Sequence, residues 1–217
     1  GPGSDQPLVG RFSPDRPPKL GAMPEFLADA VSADVRNHIE SVRRIFEDAG
    51  ALIETLALPA SFAHVTDAHR TIFDTELACY HRSRFQTRRE HYPPGIRERI
   101  EAGLTIPGYQ YVEALRARMT FQAEMFGILS KVDAAFMPAS LSTAPEGLSS
   151  TGSAAANVPW SFSGFPSINL PSGLDDQGLP FGVQLAGLRW ADDDLAAVAL
   201  WCETALGFGH APPGSVA

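Results

Sequence analysis

Lysine is almost missing from this chain: Lys19 and Lys131 are the only two in 217 residues. Acidic side chains number 25 against 17 lysines and arginines, a formal charge of −8. A field of that sign opposes nucleic acid or an anionic membrane as a partner, because phosphates are held by a basic surface. Cysteine is equally scarce. Cys79 and Cys202 stand far apart, outside any CxxC or metal spacing, so two reduced, packed thiols are expected and no disulfide framework. No apolar run approaches a membrane span, and no basic-plus-apolar N-terminal signal is visible, which together point to a soluble, cytoplasmic protein. HExxH, GxSxG and an internal repeat are also lacking. His64 and His69 are five apart, about 140° around a helix, so they do not share a face. His38, His81, His91 and His210 stand alone, and no metal or cofactor is expected.

What is present suits a globular chain: 44% hydrophobic and 19% charged residues, enough for a real core. GPGS at 1–4 resembles the scar of a removed expression tag and is set aside. The Pro-rich stretch 5–18 reads as an extended lead-in, and 209–217 as a flexible tail. Between them, 19–23 is a candidate strand. Ser32 offers a helix N-cap, Val35, Ile39, Val42, Ile45 and Phe46 recur at helical spacing, and Gly50 ends that run. A second strand, 52–58, stops at Pro59. Strand, helix, strand predicts a parallel crossover. Helices are predicted over about 61–90, with Val65, Ile72, Phe73, Leu77 and Tyr80, over 94–102, ending at Gly103, and over 108–131. The last carries Tyr111, Leu115, Met119, Phe126 and Leu129 on one face. A buried strand over 132–138 precedes a Ser- and Pro-rich loop, 139–166, too long to be a passive connection. Strands at 167–171 and 179–187 flank the turn SGLDDQG, and Asp192, Asp193 and Asp194 open a final helix through Leu195, Val198, Ala199, Cys202 and Leu206. The arginine-rich RSRFQTRRE (82–90) is a cluster able to grip an anion, but a solvated helix face pairing with Glu76, Glu90 and Glu98 is the favoured reading.

Within the long loop, GLSSTGSAAANVPW (147–160) poses a chemical question. A nucleophilic serine requires a base within hydrogen-bond reach and an oxyanion hole, often at a helix N-terminus. Ser149, Ser150 and Ser153 raise that question, and Ser149 and Ser150 could in principle stand in such a loop. No helical run is expected after them, however, because Pro159 arrives within a few residues, and a small-residue packing loop is the favoured reading.

The stretch that continues through NVPWSFSGFPSINLPSG and LPFGVQLAG resembles the C-terminal signature of the amidase signature family. The residues carrying it are Asn157, Pro159, Trp160, Gly164, Pro166, Pro171, Gly173, Leu179, Pro180, Gly182, Val183 and Gln184. DAGALIETLALP and the run Glu76, Tyr80, His81 agree upstream, so the similarity covers nearly all of 5–208. It implies an α/β fold, a partial amidase domain over 19–208 with a mixed sheet flanked by helices, and hydrolysis of a C–N amide bond without a cofactor. It also implies where catalysis resides. The family uses a Ser–cis-Ser–Lys triad, with one serine in Gly-Gly-Ser-Ser-Gly-Gly and the nucleophile in a Gly-Gly-Ser-Ile-Arg type segment. Neither segment occurs here, and neither Lys19 nor Lys131 matches the catalytic lysine.

The expectation is therefore a C-terminal half that is inactive alone and lends scaffold and one wall of the pocket for a small-molecule amide. Ser150, Asn157 and Trp160 are candidates to line that wall, with Gln184 as a buried hydrogen-bonding residue. Amidotransferase members of this family place an acidic residue before the block. Here Ser153, Ala154, Ala155 and Ala156 stand there, which favours a general amidase over glutamine-dependent tRNA amidation. Strand edges that such a half leaves unpaired predict a homo-oligomer or pairing with the N-terminal half of the amidase. Two other readings are a silent partner-binding module and an independent serine hydrolase using Ser149 or Ser150 with one of the histidines.

Overall fold

A computed structural model of the chain describes Ser13 and residues 15–209. The expected tag scar, most of the lead-in and all but the first residue of the tail lie outside them. The chain divides into two compact units: one comprises residues up to Leu58, Phe126–Trp160 and Gly164 onward, the other Pro59–Met125 with Ser161–Ser163.

The first unit begins with β1 (Lys19–Ala22), α1 (Ala33–Asp48) and β2 (Leu52–Thr55). Ser32 caps α1 as expected, its Oγ accepting the Val35 N–H at 3.3 Å. Gly50 follows the helix at φ 99°, a conformation that glycine adopts without Cβ strain. Strand β2 ends at Thr55, shorter than predicted, and the next residue, Leu56, lays its side chain over Gly21, where a Cβ would collide with it. Next come β3 (Ala134–Pro138), the first turn of a short α5 (Val158–Ser163) up to Trp160, β4 (Ser167–Leu174), β5 (Pro180–Ala186) and α6 (Asp192–Leu206). The five strands form one sheet in the order β2-β1-β3-β5-β4. β1 is parallel to both β2 and β3, which makes the predicted crossover real. β5 runs antiparallel to β3 and β4.

Two ties fix the start of the sheet. Arg16 grips Asp133 through both guanidinium nitrogens, at 3.1 and 2.9 Å, and Asp133 also accepts the Lys19 N–H at 2.8 Å. Against one face, Val42 and Phe46 of α1 pack with Leu195, Val198, Ala199 and Cys202 of α6 on Leu20, Phe136, Val183 and Leu185. Phe46 meets Phe136 edge-on at 5.8 Å. Each such large apolar side chain contributes roughly 1.5–3 kcal/mol on burial. The turn after β4 closes on Asp175, whose Oδ1 accepts the N–H groups of Gln177 and Leu179. Those bonds hold its carboxyl below the usual range. A bulge between Pro171 and Gly173 lets β4 run past the predicted end.

The second unit is helical: a 3-10 turn (Ala60–His64), α2 (Val65–Arg88), a 3-10 turn (Arg89–His91), α3 (Pro94–Thr105) and the part of α4 (Gly108–Leu129) up to Met125. α3 runs through Gly103 instead of stopping there. That glycine is a packing residue, since a Cβ would fall on the Asp74 carbonyl of α2. Asp74 is 6% exposed and bonds Arg99 at 2.5 Å, while the guanidinium lies 4.9 Å from the Phe73 ring. Several expectations are corrected here. Phe73 and Tyr80 are exposed, and so are Met119 (66%) and Phe126 (57%) of α4, whose buried residues are Ala114, Phe121, Met125 and Leu129. Contacts, not the densest apolar spacing, decide which stripe of a long helix faces inward. Arg89 pairs with Glu101, and Glu76 accepts from Tyr111, so among the described residues the ion pairs expected with Glu76, Glu90 and Glu98 are not the ones formed. Cys202 is packed as expected, its thiol pushed up to about 12 by burial, but Cys79 is exposed.

Among the described residues no helix is long and apolar enough to cross a membrane.

Candidate substrate-binding wall

The loop after β3 is organised by its own side chains. Ser150 Oγ accepts the Gly152 N–H at 3.1 Å and Ser153 Oγ accepts the Ala155 N–H at 3.2 Å, two local turns of the kind serine makes readily. Gly147 and Gly152 supply positive φ (83° and 80°). Ser149 and Ser150 are exposed and, among the described residues, neither meets a histidine. Histidines engage elsewhere: His38 Nε2 lies 2.7 Å from Ser172 Oγ, His81 Nδ1 lies 3.0 Å from Tyr92 Oη, and His69 stacks on Phe73. No metal-holding group of His, Cys, Asp or Glu forms among the described residues. Lys19 is committed to Glu54 at 2.8 Å.

Contrary to expectation, the loop does run into a helix. Pro159 takes a first-turn position of α5, where its missing N–H costs nothing, instead of preventing the helix. Gly164 closes α5 in the left-handed conformation, its N–H on the Trp160 carbonyl at 2.7 Å. The single turn and a half sets two of the predicted residues. Trp160 is 3% exposed and stacks on Phe26 with ring centroids 6.0 Å apart and planes 20° from parallel. Asn157, at the N-cap, stays exposed.

Gln184 is buried in the sheet as expected, at 1% exposure, and donates from Nε2 to Asn157 Oδ1 at 2.9 Å. Its Oε1 is enclosed without a hydrogen-bond partner among the described residues. That is a costly state for a buried acceptor. In the ladder Gln184 stands opposite Met137 of β3 and Asn169 of β4, so these three side chains share one face. Thus Asn157 and Gln184 are joined directly and Trp160 follows one helical turn later, whereas Ser150 makes only its local turn.

Two neighbours are not foreshadowed by the sequence reading. Phe26 beneath Trp160 comes from a segment without periodicity. The His38–Ser172 pair depends on Gly173, where a Cβ would lie 2.6 Å from the His38 ring. That glycine, inside a strand pattern, is the available signal of a close approach. His38 also stacks on Phe181 at 4.5 Å, and burial lowers its pKa.

A model of the amidase family matches residues 9–196. The chain is 27% identical to the A subunit of glutamyl-tRNA(Gln) amidotransferase from Picosynechococcus sp. (98% of this chain, 50% of that protein) and 26% identical to its human mitochondrial counterpart (87% and 42%). A solved structure described as a crystal structure of amidase superposes with a TM-score of 0.81 at 25% identity, over 91% of this chain and 47% of its own. The chain spans about half the length of the relatives it matches.

Proposed function

The chain belongs to the amidase family, and on that premise we propose that it provides scaffold and one wall of the substrate pocket for hydrolysis of a small-molecule C–N amide bond. Asn157 is the exposed face of that wall, with Ser150 on the exposed loop before it; Trp160 backs the turn that carries Asn157, and Gln184 holds Asn157 from below. The observation that carries this reading is the Gln184–Asn157 bond. By occupying Oδ1, the buried glutamine turns the exposed asparagine so that its NH2 group is presented outward, as two donors suited to an amide carbonyl. Trp160, buried against Phe26, backs the helical turn that carries Asn157 and keeps it in place.

Bond cleavage itself is assigned to residues outside this sequence. Among the described residues Ser149 and Ser150 have no base, Lys19 is ion-paired, and no Gly-Gly-Ser segment occurs in the chain. The relatives named as glutamyl-tRNA(Gln) amidotransferases leave two substrate classes in view. The neutral run Ser153–Ala156 favours a general amidase, because it offers no carboxylate to an amino group. Its partner is the amidase portion bearing the triad, or a second copy of the chain.

Ammonia or amine release from simple amides tests the proposal. The chain alone is expected to be inactive, and activity is expected when it is combined with a polypeptide carrying the family's Ser–cis-Ser–Lys triad. Asn157→Ala should then lower kcat/KM by about tenfold, the loss of one hydrogen bond. Fluorophosphonate labelling of Ser149 or Ser150 in the isolated chain would overturn it and revive the independent hydrolase.

A further inference from the structure

A cavity of about 400 Å³ opens at the carboxyl ends of β1, β2 and β3, beneath the segment that links β1 to α1. Its size falls within the roughly 300–1,000 Å³ of small-molecule sites, and strand carboxyl ends are where open α/β sheets receive ligands. We propose that this cavity, walled by Met23, Phe26, Val31, Ile39, Phe136 and Met137, receives the apolar part, aryl or branched alkyl, of the amide substrate. The proposal rests on the amidase reading above and extends it to substrate class.

Three observations support it. First, the wall is held in place. Leu27 sits at φ 54°, uncommon for a residue with a Cβ. The Val31 N–H closes on the Leu27 carbonyl at 3.0 Å, and Arg36 Nη2 donates to the carbonyls of Val31 (3.0 Å) and Ala28 (3.3 Å). A pre-formed wall spares the ordering cost of binding. Second, the charges at the rim are already answered. Arg43 bonds Glu47 at 3.2 Å, Glu40 faces Arg44 at 3.8 Å and Arg36 is spent on carbonyls, so the site suits a neutral, apolar group better than an ion. Third, the cavity adjoins the candidate wall. Phe26 lines it on one side and stacks on Trp160, and Met137 lines it while standing opposite Gln184 in the sheet.

The four methionines make the test direct. Met23 and Met137 line the cavity, whereas Met119 and Met125 belong to the other unit. In the full chain labelled with ¹³C at the methionine methyls, phenylacetamide should shift Met23 and Met137 saturably and leave Met119 and Met125 in place. Acetamide should bind at least roughly tenfold more weakly, as expected from burying an aryl ring. Val31→Phe, which narrows the space, should abolish the saturable shifts while Met125 keeps its folded position. If that variant unfolds, Ala28→Trp at the rim serves the same purpose. Absence of shifts at Met23 and Met137, or their survival in a folded filled variant, overturns the proposal. The two readings fail separately. Phenylacetamide binding in the cavity without hydrolysis by the combined halves sinks only the amidase assignment. Hydrolysis with no preference for phenylacetamide, or one unchanged by filling, sinks only the cavity.

Discussion

At the scale of single residues, His38 links helix and sheet. Its ring lies on Phe181, its Nε2 reaches Ser172 Oγ, and burial lowers its pKa below 6.5. His69 is lowered too, first by burial and then by the Arg99 charge, with Asp74 opposing. A histidine held neutral when folded contributes stability that is present above about pH 6.5 and lost as pH falls through its depressed folded value. The melting temperature should therefore drop between pH 7 and pH 5. In His38→Gln, which keeps a side-chain hydrogen bond but cannot titrate, that drop should be smaller; parallel curves for the two proteins would refute the role. None of this is legible in the sequence, where His38 looks solitary. By contrast, Gln184 and Asn157 are legible as individuals through the family motif. Their hydrogen bond is not, because 27 positions separate them and only the sheet brings them together.

Elements are easier to read than their limits. Five strands and the long helices lie where alternation, spacing, Ser32 and the prolines put them. The departures fall where contact overrides local preference. Gly103 resembles a helix stop, but it is the point where α3 lies against the backbone of α2. Gly103→Ala should cost about 1–3 kcal/mol through overpacking, despite the better helix propensity of alanine. Chemical denaturation would show a lowered midpoint. An unchanged or raised midpoint would mean that α2 and α3 are not so closely opposed. Similarly, Met119 and Phe126 fit an apolar stripe, yet Phe121 and Met125 are the ones buried. Periodicity shows that a helix has an inner side but cannot choose between two overlapping stripes of comparable hydrophobicity. Pro159 misleads for a different reason, since proline ends helices from within but starts them well.

For the molecule as a whole, the sheet ends in two different edges. On β2, Leu52 is 70% exposed. On β4, the Gly187 N–H bonds the Pro166 carbonyl, so by alternation the backbone groups of Ser167, Asn169 and Pro171 point away from β5. Pro171 has no N–H to offer, but Ser167 and Asn169 do. Edges of this sort invite another strand. Light scattering after size exclusion is expected to give a mass above 23.3 kDa. Asn169→Lys on the β4 edge should shift the population toward monomer. A monodisperse monomer of the unaltered chain would contradict the expectation of association. Class and strand content are readable from the sequence, through crossover logic and family resemblance. Strand order is not, because β1 finds β3 across the entire helical insertion.

That pairing sets a schedule for synthesis. Leu20 leaves the ribosome well before its neighbour Ala134, which follows only after Pro59–Met125 has been translated. At about 5–20 residues per second, one side of the first strand stays unprotected for on the order of ten seconds. The nascent polypeptide thus depends, for that interval, on chaperones or on rapid helix formation in the intervening segment to avoid aggregation.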